Sequence, residues 1–180
     1  MKKLFSKIPR IEGARLRLCR IPMEDTDALG ALAASPAVYR YLPTFLIEKK
    51  SPDMERALRY MYGPCLRDRE SIHLGIYLKG EDRFCGIAEM YGFKDRIHKI
   101  SIGYRLMEDV WGQGLATEAV GLMVNYLYGE TDIEIITAST MIENRASARV
   151  LIKNGFTLAV HAASEDWGYP DPTAADKWIR

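Results

Sequence analysis

The sequence predicts an α/β fold, one domain in which a mixed, mostly antiparallel sheet of about six to seven strands is flanked by about four helices. Three observations carry this. Residues 15–20 alternate with period two, three more strand-like runs follow one another up to Leu106, and a wide helical stripe starts at Leu115. A meander followed by strand, helix and strand needs antiparallel and parallel pairing in one sheet. The 180 residues suit one large domain and are enough to bury most of its apolar surface. No repeat, low-complexity run or linker divides the chain, so residues 1–180 read as a single domain with an N-terminal extension over 1–11.

The elements follow in order. Arg15-Leu16-Arg17-Leu18-Cys19-Arg20 has the pattern of a strand with one buried face, and Pro22 ends it. A helix runs through Ala28 to Ala34, with Glu24, Asp25 and Asp27 at its positive end and Ser35-Pro36 as its stop. Ser51-Pro52-Asp53 writes a second helical start, Ser51 as N-cap and Pro52 at the first helical position, and Gly63-Pro64 ends that run. Between the two helices, residues 39–50 read as an unusually aromatic loop. Residues 72–78, a polar turn at 79–82 and residues 84–93 read as a hairpin, and 97–106 as a third consecutive strand. Leu115, Ala119, Leu122 and Tyr126, with Ala116, Val120, Met123 and Leu127, form the helical stripe. A β-rich run at 133–140, a short helix at 146–153 stopped by Asn154-Gly155, and two final strands within 156–180 complete the order.

Composition excludes several function classes. Hydrophobic residues at 48% and charged residues at 27% leave no room for a disordered or fibrous chain. With 25 Lys+Arg against 24 Asp+Glu, the net charge of +1 gives no global field toward nucleic acid or membranes, so a polyanion must be held locally. Cys19, Cys65 and Cys85 form no CxxC pair, which points to a reducing compartment, and His73, His98 and His161 are too scattered to suggest a metal. The first seven residues lack a signal-type apolar run and no stretch reaches membrane-spanning length, so the expected location is the cytoplasm.

Residues 110–119, Val-Trp-Gly-Gln-Gly-Leu-Ala-Thr-Glu-Ala, place a glycine-rich turn between a strand and a strong helix. Such a turn aims backbone N–H groups at one spot, and the helix start adds positive partial charge, so a pyrophosphate can bind there without lysine. A plain tight turn gives the same spacing. A nucleotide-hydrolase loop is excluded because Leu115 and Ala116, not Lys-Ser/Thr, follow Gly114. A dinucleotide fold would want a third glycine at Thr117 and an acid at the end of the next strand, where Ala138-Ser139-Thr140 stands.

Ile102-Gly103-Tyr104, the turn from Trp111 to Ala119, Asn144-Arg145-Ala146-Ser147 and Asn154-Gly155-Phe156 together resemble the GNAT superfamily of N-acetyltransferases, and within it the ribosomal-protein-type enzymes. The likeness runs from about residue 12 to the end. It implies acetyl-CoA as cosubstrate, its pyrophosphate held by the amides of Gly112, Gln113, Gly114, Leu115, Ala116 and Thr117. It implies a sheet splayed between the family's fourth and fifth strands, where pantetheine pairs with the backbone of Tyr104, Arg105 and Leu106 and an amide near Leu106 polarises the thioester. Asn144 matches the asparagine that bonds the pantetheine arm, a role compatible with an N-cap. Ser147 matches a serine at the sulfur end, where a small helix residue would also serve.

Two departures bear on catalysis. The tyrosine acid of many members falls at Leu151, and the glutamate often found before Ile-Gly-Tyr falls at Ser101. Glu89, in an apolar strand where a carboxylate is costly without water or a partner, is the expected base, with Ser147 as thiol-side acid; a solvated strand glutamate is the plainer alternative. An α-amine, with a pKa of about 7.7–8.0 against about 10.4 for lysine, needs less help from a base. The expected function is acetyl-CoA-dependent N-acetylation of a primary amine, either a protein or peptide N-terminus or a small molecule, by a monomer or homodimer. A catalytically silent acyl-CoA-binding sensor is the alternative. Tyr41 and Phe45, with Trp167 and Tyr169 from the Trp-Gly-Tyr-Pro turn, are the expected acceptor contacts, unless those aromatics form a structural cluster.

Overall fold

The computed structural model describes residues 4–180 apart from Pro52, so the proline part of the expected helix start lies outside the described residues, as do Met1, Lys2 and Lys3. Among the described residues, eight strands form one sheet: β1 (Ile11–Glu12), β2 (Leu16–Cys19), β3 (Ser71–Leu78), β4 (Arg83–Lys94), β5 (Lys99–Leu106), β6 (Ile135–Met141), β7 (Thr157–Glu165) and β8 (Thr173–Ile179). Their order is β1-β2-β3-β4-β5-β6-β8-β7, antiparallel throughout except for the parallel pair β5/β6. The strand beyond the expected count is β1, a two-residue partner of β2.

The helices are α1 (Thr26–Ala34), α2 (Pro36–Tyr39), α3 (Ile47–Lys50), α4 (Met54–Tyr62), α5 (Pro64–Arg67), α6 (Leu115–Glu130) and α7 (Arg145–Lys153). Three of them, α2, α3 and α5, are four-residue turns that the sequence reading missed, so residues 39–50 are not a plain loop. Ser35, expected only as a stop, caps α2 by accepting from the Val38 N–H at 3.2 Å, with Pro36 at its first position. Asp53, not Ser51, caps α4, because its carboxylate adjoins the first turn and takes the N–H groups of Glu55 and Arg56. The Ser51 hydroxyl instead donates to the Asp53 carbonyl at 2.6 Å. The third strand begins at Lys99, since residues 95–97 form a 3-10 turn closed by His98 at φ 48°.

Side-chain alternation divides the core between the two faces of the sheet. Ile72, Leu74, Ile76, Ala88, Met90, Ile100 and Ile102 pack on one face against Ala119, Met123 and Leu127 of α6 and Leu151 of α7. Tyr77 and Ile87 pack on the other against Leu29, Leu32, Leu58 and Met61.

The feature that positions the site is a split in the sheet. β5 meets β6 only at Lys99/Ile135, Ile100/Ile136 and Ser101/Thr137. Beyond that, β5 stays paired with β4 as far as Leu106, while β6 goes with β8 as far as Met141. Residues 102–106 therefore keep one backbone edge open.

Glu118, in the first turn of α6, fastens the helix start to β2. Its carboxylate takes the Arg15 N–H at 2.7 Å, the Leu16 N–H at 3.0 Å and Arg15 Nε at 2.9 Å. Burial would raise its pKa, but these donors hold the carboxyl below its ordinary value. Glu118→Ala removes the acceptor of the Arg15 and Leu16 amides and is expected to lower unfolding free energy by about 2–3 kcal/mol in urea denaturation.

Candidate active site

A groove of about 530 Å³ follows the open edge of β5, with α2 and its following turn on one side and α7 on the other. The turn before α6 closes one end. Gly112 and Gly114 take φ values of 74° and 77°, conformations that favour glycine, and a Cβ on Gly112 would meet no protein atom within 4 Å. The Leu115, Ala116 and Thr117 amides open the helix without intrahelical acceptors, the first such bond running from the Glu118 N–H to the Gly114 carbonyl at 3.2 Å. Gly112, Gly114, Leu115, Ala116 and Thr117 all line the groove; Gln113 does not, its side chain donating to the Asp109 carbonyl. Trp111 donates Nε1–H to the Leu106 carbonyl at 2.8 Å.

The opposite wall comes from α7. Asn144 caps it, Oδ1 accepting the Ser147 N–H at 3.2 Å, which leaves the amide NH₂ to other partners. Tyr104 Oη donates to Ser147 Oγ at 3.3 Å, so the serine's own proton is free to point elsewhere. Burial pushes the Tyr104 phenol up, against the smaller opposing effect of Ser147. Arg149 and Lys153 line the same wall and, among the described residues, pair with no carboxylate. Sequence reasoning missed this pair. The four-residue spacing that puts both on one helix face was the available signal.

Glu89 and Ser147 are not brought together. Adjacent residues of β5 point to opposite faces, Tyr104 toward Ser147 and Arg105 toward Glu89. Arg105 Nη1 donates to Glu89 Oε2 at 2.9 Å, and His73 Nε2 lies 3.3 Å from Glu89 Oε1. Burial alone would raise the Glu89 pKa; the charges of His73 and Arg105 outweigh it and bring the carboxyl down to about 2. Burial would likewise lower the His73 pKa, and Glu89 reverses that, raising it to about 9. A carboxylate so held accepts a proton poorly at neutral pH, and its environment suits a fixed negative charge better than the expected general base. The Arg105 side chain is also committed. It donates Nη2–H to Glu48 Oε2 at 2.8 Å, with Nε 2.6 Å from Glu48 Oε1 but too poorly aligned there for a hydrogen bond. Only the Arg105 backbone follows the open edge.

Of the four expected acceptor contacts, Tyr41 lines the groove, beside Arg40, which stacks on its ring at 5.2 Å. Phe45 is 47% exposed outside it. Trp167 is buried, its Nε1–H on Glu165 Oε2 and its carbonyl accepting the Thr44 N–H at 2.8 Å, while Tyr169 Oη donates to the Leu42 carbonyl at 2.9 Å. Gly168 makes this join possible, since a Cβ there would fall 2.1 Å from Thr44 Oγ1. Loop and turn are thus stitched together, and Trp167 serves packing rather than contact.

A family model described as an acetyltransferase (GNAT) domain matches residues 15–157. The chain belongs to the GNAT acetyltransferase family. An uncharacterized N-acetyltransferase of Bacillus subtilis (strain 168), YoaA, is 25% identical over 148 residues, 82% of each chain. Among solved structures, a GNAT-family acetyltransferase from Bacillus anthracis superposes with a TM-score of 0.81 at 19% identity, over 96% of this chain and 98% of that one. RimL, a ribosomal L7/L12 α-N-protein acetyltransferase solved with coenzyme A, superposes with a TM-score of 0.80 at 18% identity, over 96% and 97%. This GNAT chain is an N-acetyltransferase that uses acetyl-CoA. The groove fits such a cosubstrate, since it offers space at Gly112, open helix amides, an open strand edge and the cations of Arg149 and Lys153. Among the described residues no helix is long and apolar enough to cross a membrane.

The charge cluster makes stability depend on pH at both ends. Glu89 has a depressed pKa, so its contribution is present above about pH 4.3 and is lost as pH falls toward 2. His73 has a raised pKa, so its contribution is present below about pH 6.5 and is lost as pH rises through 9. Denaturation midpoints from pH 3 to 10 should form a plateau with two falling limbs. His73→Gln should flatten the alkaline limb; a limb that persists would belong to another group.

Proposed function

We propose that this enzyme acetylates α-amines of peptide or protein N-termini, or small amines of similar basicity, as ribosomal-protein-type members of the family do. The observation that carries the reading is the open edge of β5 lying between the glycine turn and α7. The structural likeness to RimL contributes only the fold, and the acceptor class rests on chemistry. A carboxylate with a pKa of about 2 gives little general-base help, which an acceptor near pKa 8 needs least.

Acetyl-CoA supplies an activated thioester. In the proposed site the amides of residues 112–117 and the helix start take its pyrophosphate, and Arg149 and Lys153 balance its remaining phosphate charge. The backbone of Tyr104, Arg105 and Leu106 holds the pantetheine arm, as does the Asn144 amide. Ser147, its oxygen occupied by Tyr104, directs its hydroxyl proton to the sulfur side and stabilises a developing thiolate. The acceptor amine releases its proton to water. Its neutral nitrogen then forms the new bond at the thioester carbonyl, placed by the groove rather than activated by a base.

Gly112→Val places a side chain where the phosphate approaches and meets no protein atom. It should weaken acetyl-CoA binding at least 10-fold by calorimetry while costing the fold only about 1–2 kcal/mol of left-handed backbone strain. Unchanged affinity would overturn the cofactor assignment. Thiol release at pH 7 should be faster with free α-amine peptides or small amines of similar basicity than with Nα-blocked lysine peptides, and turnover confined to the blocked lysines would overturn the acceptor class. Ser147→Ala should lower kcat about 5- to 30-fold with little change in acetyl-CoA affinity.

A further inference from the structure

Glu48 is a carboxylate only 1% exposed in a four-residue helix whose neighbours Lys49 and Lys50 face solvent. Burying a carboxylate costs several kcal/mol unless its partners are well placed. They are. Arg105 donates to Oε2 at 2.8 Å and Tyr39 Oη donates to Oε1 at 2.7 Å. Arg105 stands on β5 between Tyr104 and Leu106, on the open edge itself. Just before α3, Arg40, Tyr41 and Leu42 form the groove wall opposite α7. The other polar ties of this segment lead elsewhere, Thr44 and Leu42 to the 167–169 turn and Lys49 Nζ to the Ala33 carbonyl at 3.0 Å. Among the described residues, the polar link between this wall and β5 is therefore the Glu48–Arg105 pair.

We propose that Glu48 is a positioning residue that, through Arg105, fixes the wall at residues 40–42 relative to the open edge of β5 and so sets acceptor binding and transfer. It contributes nothing to acetyl-CoA affinity. Buried ion pairs roughly break even with apolar replacements in stability, so what such a pair specifies here is geometry. The proposal rests on the acetyl-transfer reading of the groove, in which acceptor and cosubstrate approach β5 from different walls.

The test compares Glu48→Gln, which removes the charge and keeps the shape, with Tyr39→Phe, which removes one hydrogen bond and no charge. Acceptor kcat and KM are measured with the best amine of an acceptor panel, acetyl-CoA Kd by calorimetry, and melting temperature as a control. Glu48→Gln should lower acceptor kcat/KM at least 10-fold with acetyl-CoA Kd unchanged within about 2-fold. Tyr39→Phe should act in the same direction by about 3-fold, and Glu48→Asp should recover part of the loss. Tyr39→Phe carries the test if Glu48→Gln does not fold. Unchanged acceptor constants in the folded variants, or an equal loss of acetyl-CoA affinity, would overturn the proposal. A wild-type protein that binds no acetyl-CoA would overturn the acetyl-transfer reading itself, before any variant is compared.

Discussion

A strand inside a sheet normally has both backbone edges paired, because buried N–H and C=O groups left without partners are costly. β5 breaks this over residues 102–106, since β6 leaves it after Ser101/Thr137 to pair with β8. β8 continues opposite β6 to Met141, so β6 cannot turn back to close the gap. The open edge needs partners from outside the sheet. Trp111 supplies one by donating to the Leu106 carbonyl, and the rest of the edge faces a groove with open helix amides at one end and Asn144 and Ser147 across it. An extended arm with amides of its own suits that edge in the way a partner strand would.

On the far face of β5 the constraint is electrostatic. Arg105, Glu48, Glu89 and His73 place two carboxylates and two basic groups out of bulk water, and with His73 protonated their charges cancel. Arg105 has two anions and Glu89 two cations. Each charge is fixed by more than one neighbour. The cluster also spans three strands and α3, so it links the groove wall to the sheet and not merely one strand to the next.

The strands, α6 and the glycine turn were legible because each is a local pattern: period two, a 3.6-residue stripe, and glycines where φ turns positive. The split in the sheet was not local, and only resemblance to a family implied it. Glu48 was invisible in a segment read as an aromatic loop, because its partner Arg105 lies 57 residues away. Glu89, His73 and Arg105 could each be placed on a strand, but sharing one face depends on register, which period two alone does not fix. Ser51 and Asp53 competed for one cap, and the residue nearer the first turn won. Arg149 and Lys153 were within reach of helical spacing, yet that helix was read for its caps, its glycine stop, Ser147 and Leu151 and not for its charged face.

The alternation along β5 explains how one short segment can face both the groove and the buried charge cluster. Tyr104 reaches Ser147 on the α6 side, while Arg105, one residue on, reaches Glu48 and Glu89 on the α1 side. Ser147 lines the groove on one face, whereas Glu89, on the other, does not line it and gives both its oxygens to His73 and Arg105. A depressed Glu89 and a Tyr104 phenol raised by burial are both poor proton exchangers near neutral pH. In the proposed reaction placement counts for more than acid and base strength, and the Glu48–Arg105 and Glu118–Arg15 ties join the two flanks of the groove to the sheet.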